Sequence, residues 1–412
     1  MTRPHLIGAI ALAGVVLAVA GCAASSPASS RSPQAVGPVT VPLAAGVMQP
    51  GASWATVQTG GPSVGGRFWQ LLTEDQATGK WRLVTPPGVA DNAGLAVTRA
   101  PDGTMTVGFV PGQLLKFSPL ATTTDDGAHW AQALLPAGLV HDPDSLAALP
   151  DGGLVAVTTT AVEKSAAGAK NWAPLVTLRT LAATPDGRRC GLTGLTGTVA
   201  VPGGSLLVSG TCSRVGQLGL FSNVGGRWRA TYPWPSRTAR FRVSWGNVLS
   251  VTNHLLDGAE IKPEAVLGMI SSAAGVSVLV DAVTSHGQDL IASWLAAGAK
   301  TWTFNPPRQA LAGVVTAVSG SGNGAWVVML NGRRMVTAGP APKLNQHQVT
   351  VTWGVPFRNP GPDATIVPSG DGAFTALVPG VSTITVWQWP ASGGWHRTRT
   401  IDVASAPAGQ SS

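Results

Sequence analysis

Charge is what this chain has least of. Only 11% of its 412 residues are Asp, Glu, Lys or Arg, against roughly a quarter in an average globular protein. So few charges exclude a coiled coil or a helical bundle with solvated faces. Acid is scarcer than base: 19 Asp and Glu stand against 27 Lys and Arg, a formal charge of +8. The glutamates are Glu74, Glu163, Glu260 and Glu264 alone, and Tyr232 is the single tyrosine. That leaves little material for a carboxylate-rich catalytic centre. The histidines, at 5, 129, 141, 254, 286, 347 and 396, show no HxH or HExxH spacing, so neither a metal nor another cofactor is expected. Beyond the first twenty or so positions no stretch approaches the ~18 uninterrupted apolar residues of a membrane-spanning helix.

What the chain does have is apolar residues and turn formers. Hydrophobic residues make up 44%, with 15 Trp, 52 Gly and 32 Pro. The steady supply of Val, Leu and Trp argues against a disordered chain. The length calls for two domains or for one large repeat or barrel.

The N-terminus carries Arg3, an apolar run from Leu6 to Ala20, then Gly21 and Cys22. A cation followed by about 15 apolar residues has the form of a secretory signal and is short for a bilayer span. Val19-Ala20-Gly21-Cys22 resembles the bacterial lipobox. The resemblance implies that residues 1–21 are a lipoprotein signal peptide and that Cys22 carries the lipid. Residues 22–50, rich in Ser, Ala and Pro, read as a flexible tether. The expected location is the extracytoplasmic face of the cell membrane, held there by the lipid anchor. Cys190 and Cys212 then remain as an even pair in an oxidising compartment. Pro202-Gly203-Gly204 lies between two β-prone runs, and folding back there brings both cysteines to the open end of a hairpin. A disulfide is expected.

Turn signatures recur at Pro101-Asp102-Gly103, Pro150-Asp151-Gly152, Pro202-Gly203-Gly204, Ala273-Ala274-Gly275, Gly322-Asn323-Gly324 and Gly370-Asp371-Gly372. Taking 102, 151, 203, 274, 322 and 371 as centres, the spacings are 49, 52, 71, 48 and 49. A strand-like run follows the turns, as at Leu154–Val157 and Val276–Val280. The long interval carries about 22 extra residues, placed around Arg242 to Ile261. Tryptophan marks a second rhythm after polar or Gly turns, at Trp81, Trp130, Trp172, Trp228, Trp302 and Trp395. A period near 49 with several short strands is a β-propeller signature. The expectation is an all-β propeller over residues 51–404, with seven four-stranded blades favoured over six, followed by a disordered tail at 405–412. Asp289 to Ala297 would also suit a short helix.

Thr123-Thr124-Asp125-Asp126-Gly127-Ala128-His129-Trp130 resembles the Asp-box, or BNR, repeat of sialidase-like propellers. The resemblance implies structural roles for Thr123, Asp125, Gly127 and Trp130: side chains bonding a turn between the two outer strands of a blade, and an indole packed between blades. It does not carry sialidase chemistry over. The only string like the family's arginine motif, Phe357-Arg358-Asn359-Pro360, lies near the wrong end of the chain, and Tyr232 sits in a Thr-Tyr-Pro-Trp-Pro context. Gly61-Pro62-Ser63-Val64-Gly65 matches a hydrolase elbow in letters only, because the Gly-rich loop leads into a strand where the elbow needs a helix. The acids of His141-Asp142-Pro143-Asp144 show no flanking signal that would split their pKa values, and the segment reads as a turn between blades. No catalytic residue is assigned.

Between positions 227 and 245 arginines alternate with aromatics and no acid intervenes. Arg227, Arg229, Trp234, Arg237, Arg240 and Arg242 form a candidate ligand rim that would grip an anionic or glycan ligand. Simple alternation of core-facing and water-facing residues is the competing reading. The expected function is that of a non-enzymatic, lipid-anchored binding or scaffold module. Its partner would be an envelope protein or an anionic or glycan polymer, and nucleic acid is not expected. A cell-envelope glycoside hydrolase and an assembly factor for a membrane complex are the alternatives. The chain is expected to be monomeric.

Overall fold

The computed structural model describes residues 44–48, 53–60, 67–75, 77–87, 93–111, 115–231, 262–284, 287–300, 302–304, 314–321, 324–331, 334–338, 353–354, 364–369, 373–390 and 392–403. All belong to one compact unit, Val39–Ser412. Cys22, the signal segment, Tyr232, Trp234, Arg237, Arg240, Arg242 and the tail at 405–412 lie outside the described residues.

Turns cut the chain into short strands taken four at a time. The first set is β1 (Ala44–Met48), β2 (Trp54–Gly60), β3 (Arg67–Asp75) and β4 (Lys80–Leu83). The second is β5 (Gly94–Arg99), β6 (Met105–Val110), β7 (Ser118–Thr123) and β8 (Ala131–Leu135). The third is β9 (Leu146–Ala148), β10 (Leu154–Val157), β11 (Ala161–Ser165) and β12 (Trp172–Thr177). Two short helices follow, α1 (Leu178–Ala182) and α2 (Pro185–Cys190), before β13 (Leu192–Ala200), β14 (Leu206–Cys212), β15 (Gly219–Val224) and β16 (Arg227–Ala230). Then come β17 (Lys262–Ser272), β18 (Gly275–Thr284), β19 (Gly287–Ala296) and β20 (Thr303–Phe304). β21 (Val315–Ser321), β22 (Trp326–Leu330), β23 (Arg334–Ala338) and β24 (Trp353–Gly354) precede the last set. That set is β25 (Thr365–Ser369), β26 (Ala373–Pro379), β27 (Thr383–Trp389) and β28 (His396–Asp402).

Within each set, neighbours in sequence pair antiparallel. The first strand of one set packs on the first strand of the next, from β5 through β9, β13, β17, β21 and β25 on to β1. Inner strands ringed about a hub, with the later strands stacked outward, make this a β-propeller. The hub is tight at one point. β1 pairs in parallel with β21, Gly46 opposite Ser319, which joins two sets into one eight-stranded sheet. Gly46 is required there: a Cβ would lie 2.8 Å from Val367 of β25 and 2.9 Å from the Ser319 hydroxyl. The first described strand, Ala44–Met48, thus lies inside the stretch read from sequence as tether.

The core lies between facing sheets. One cluster joins Trp54 and Trp69 of the first set to Val97 and Met105 of the second and to Ile366 and Ala376 of the last. Tryptophans stitch the seams with their indole N–H groups. Trp172 donates to the Leu134 carbonyl of the preceding set at 3.1 Å, and Trp326 donates to Ser277 Oγ at 2.6 Å across another seam. The segment Asp289 to Ala297, where a short helix would fit the composition, is strand through Ala296. Leu290, Ile291 and Ala292 are buried, and pairing along β18 outweighs local helix propensity.

Strand direction sorts the loops. Each first strand runs away from the connection that joins it to the preceding set. Connections between sets, and loops joining second to third strands, therefore share one end of the propeller, here the connection end. First-to-second and third-to-fourth turns share the other, the hairpin end. The described turn signatures, at Pro101–Gly103, Pro150–Gly152, Pro202–Gly204 and Ala273–Gly275, belong to the hairpin end.

Candidate ligand face

The described turns of the hairpin end are short and wired by their own side chains. Asp102 Oδ1 accepts the Thr104 amide, and Asp151 Oδ1 accepts the Gly153 amide. Between β7 and β8, Thr123 Oγ1 donates to Asp125 Oδ1 at 2.7 Å and accepts the Gly127 amide at 2.9 Å. Asp125 Oδ1 also accepts the His129 amide at 2.9 Å. These bonds, the His129 amide first, hold the exposed Asp125 carboxyl well below the usual range. Gly127 has φ +88°, and a Cβ there would lie 2.7 Å from Val84 of the first set. Arg82 of β4 donates to the Asp126 carbonyl, and Arg99 pairs with the Asp126 carboxylate at 2.8 Å. Trp130 packs, half-buried, on the core cluster beneath. The turn is spent on holding neighbouring sets together.

The connection end carries the long segments. Thr177 caps α1 by accepting the Thr180 amide, and Thr184 caps α2 by accepting the Gly187 amide at 2.9 Å, with Pro185 in the first turn. A disulfide joins Cys190, the last residue of α2, to Cys212, the last of β14, with Cα atoms 5.1 Å apart. The hairpin of β13 and β14 brings the two together as its sequence implied. Asp186 adds a third fixing: Oδ2 accepts the Ala230 amide at 3.0 Å, and Oδ1 faces Arg189 at 3.6 Å. The helix is thereby pinned with Arg188 and Arg189 exposed, near the exposed Arg214 that follows Cys212.

Of the proposed rim, Arg227 and Arg229 are exposed on β16 while Trp228 between them packs, half-buried, on the core. On these three residues the alternating strand pattern holds. The remaining rim residues belong to the connection that follows β16, outside the described residues.

Two acids at this end are withdrawn from solvent, Asp142 buried and Asp144 half-buried. The connection from β8 to β9 turns back on itself, with Asp142 Oδ1 accepting the Asp144 amide at 2.9 Å. Asp144 reaches across the hub: Oδ2 accepts the Met269 amide of β17 at 2.6 Å, and its carbonyl accepts the Thr198 amide of β13 at 2.7 Å. Burial pushes the Asp142 carboxyl up to about 7 and raises that of Asp144 well above its usual value, the Asp142 charge adding to the effect. Sequence reasoning took this segment for a plain turn. The apolar residues on either side, Leu139-Val140 and Leu146-Ala147-Ala148, were the signal that it dives into the hub.

Beside this turn opens a cavity of about 600 Å³, lined by Val110, Pro111, Leu115, Lys116, Leu139 and His141 among others. Desolvation lowers the His141 imidazole pKa although the residue keeps exposed surface. Among the described residues no three His, Cys, Asp or Glu side chains group as metal ligands.

The two ends also differ in apolar exposure. Among the described residues the exposed large hydrophobics are Phe68, Leu115, Phe117, Leu134, Leu175, Val215, Val314 and Val381. Each lies in a loop at the connection end or on the half of its strand nearer that end. None falls in a hairpin-end turn.

No protein-family model matches the sequence, and no curated protein matches it. Solved structures resemble it at low identity. A GH74 xyloglucanase from Xanthomonas campestris is 12% identical, with 89% of this chain covered and a TM-score of 0.42. This chain spans only 46% of that enzyme's length. A protein from Lactobacillus plantarum is 12% identical over 85% of this chain and 96% of its own, with a TM-score of 0.46. YCF48 bound to a D1 peptide is 12% identical over 74% of this chain and 78% of its own, with a TM-score of 0.38.

Proposed function

We propose that the protein is a lipid-anchored, seven-bladed propeller that acts as a non-catalytic binding or scaffold module on the extracytoplasmic face of the cell membrane. Its connection end holds an anionic envelope partner. The observation that carries this reading is the asymmetry between the two ends. Among the described residues the turns at one end are short and wired by their own side chains, while the other end gathers the helices, the disulfide and the exposed Arg188, Arg189 and Arg214. Guanidinium groups on a pinned platform suit phosphate and carboxylate recognition. The Thr123–Trp130 turn reads as an Asp-box in a structural role. The Asp142 and Asp144 carboxyls accept backbone amides and hold loops together within the hub, which favours a structural over a hydrolytic role.

Cys22→Ser tests the anchor. The variant is expected to leave the membrane fraction or to accumulate as an unprocessed precursor. Unchanged detergent-phase partitioning of a cleaved, mature form would refute lipidation.

A further inference from the structure

We infer that the connection end rests on the phospholipid bilayer itself, with apolar loop tips entering the headgroup region and the cations beside them meeting lipid phosphates. The inference rests on the anionic-partner reading above and names the partner as an anionic membrane surface.

The tips are Leu115, Phe117, Val215, Val314 and Val381, joined by the exposed Phe68 at the start of β3. Val215 is 85% exposed, Val381 72% and Val314 55%, far beyond what a loop needs merely to close. They come from different strand sets: Phe68 from the first, Leu115 and Phe117 from the second, Val215 from the fourth, Val314 at the entry to β21 and Val381 from the last. A compact protein partner would select a contiguous patch on one or two neighbouring sets. Tips distributed round the ring at one end instead suit a planar partner.

Cations accompany the tips. Lys116 lies between Leu115 and Phe117, Arg214 immediately precedes Val215, and Arg188 and Arg189 are held nearby by the disulfide; all four are exposed. The exposed acids described at this end are Glu264 and Asp402. Apolar side chains interleaved with lysine and arginine form the pattern of an interfacial membrane surface, in which apolar burial and attraction to anionic headgroups act together. Among the described residues the hairpin end offers charges but no exposed large hydrophobic, so the preference has a direction.

The test uses the full chain reconstituted on vesicles. Its N-terminal segment keeps every variant attached, and flotation reads that attachment separately. An environment-sensitive fluorophore is placed at Leu115→Cys or Val381→Cys, and at Lys170→Cys on the hairpin end as control. Vesicles contain phosphatidylglycerol with lipids carrying a quencher near the headgroup. The expected result is a blue shift and several-fold more quenching at positions 115 and 381 than at 170, weaker when phosphatidylcholine replaces phosphatidylglycerol. Val215→Asp, at a site too exposed to disturb folding, is expected to reduce the quenching at 381. Equal quenching at both ends, or no quenching at 115 and 381 in chains that float, overturns the inference. Crosslinks from the same positions to an envelope protein, without quenching, would likewise overturn it while leaving the binding-module reading intact.

Discussion

The carboxylate of Asp144 accepts the backbone amide of Met269 at 2.6 Å, joining a connection at the entry to the third strand set to the inner strand of the fifth. The residues are 125 positions apart, so the bond closes a long loop across the hub. Removing the acceptor with Asp144→Ala leaves a buried amide unpaired, which costs about 1–3 kcal/mol. Asp144→Asn keeps an oxygen for Met269 and is expected to fold nearly as well as the parent. Urea midpoints at neutral pH compare the two.

The same pair makes stability depend on pH. Asp142 and Asp144 bind protons more tightly folded than unfolded, because burial raises both carboxyls. Their contribution is therefore complete below the ordinary value of 3.8 and declines as pH rises toward about 7, where Asp142 ionises in the fold. Unfolding midpoints measured from pH 4 to 8 are expected to fall, and the double variant Asp142→Asn/Asp144→Asn to flatten that slope. A parent stability that rises across this range would contradict the assignment.

The disulfide closes a separation of 22 residues, for which chain entropy gives about 3 kcal/mol. Reductant, or Cys190→Ala with Cys212→Ala, is expected to lower the thermal midpoint by several degrees. It should also expose the α2 segment to proteolysis while the remaining sets persist. Limited proteolysis with mass mapping checks this.

Gly46 stands where β1, β21 and β25 converge. Gly46→Val would press into Val367 and Ser319, and overpacking of this kind costs about 1–3 kcal/mol. The same substitution at Gly203, a hairpin-end turn with open space around it, tests backbone strain alone and is expected to cost less. Denaturant titration of both separates crowding from strain.

Much of this fold was legible because turn chemistry is local. Pro-Asp-Gly and Pro-Gly-Gly show their function in the chain itself, and so the period near 49 and the strands after each turn could be read directly. Six tryptophans, Trp81, Trp130, Trp172, Trp228, Trp302 and Trp395, were legible too, since each follows a turn into an outer strand. Three features were not. α1 and α2 occupy one turn or so each, too short for a helical period, although Thr184-Pro185 was a readable cap. Asp142 and Asp144 looked like surface turn acids because nothing in a local window reports Met269 or Thr198 from distant strands. The parallel pairing of β1 with β21 was hidden for the same reason, within an Ala- and Gly-rich run that resembles tether.

Binding of the anionic partner is proposed to run through the cations of the connection end. Its most direct measurement is the affinity of the full chain for soluble polyglycerol phosphate, a phosphodiester probe, at low and at physiological salt. Arg188→Ser, Arg189→Ser and Arg214→Ser together are expected to weaken binding roughly tenfold, since each exposed charge pair contributes about 0.2–1 kcal/mol. The remaining binding should be less sensitive to salt. A paired substitution at the hairpin end, Lys80→Ser with Lys170→Ser, should leave affinity unchanged. Equal loss from both variants, or full affinity in the arginine variant, would contradict the account.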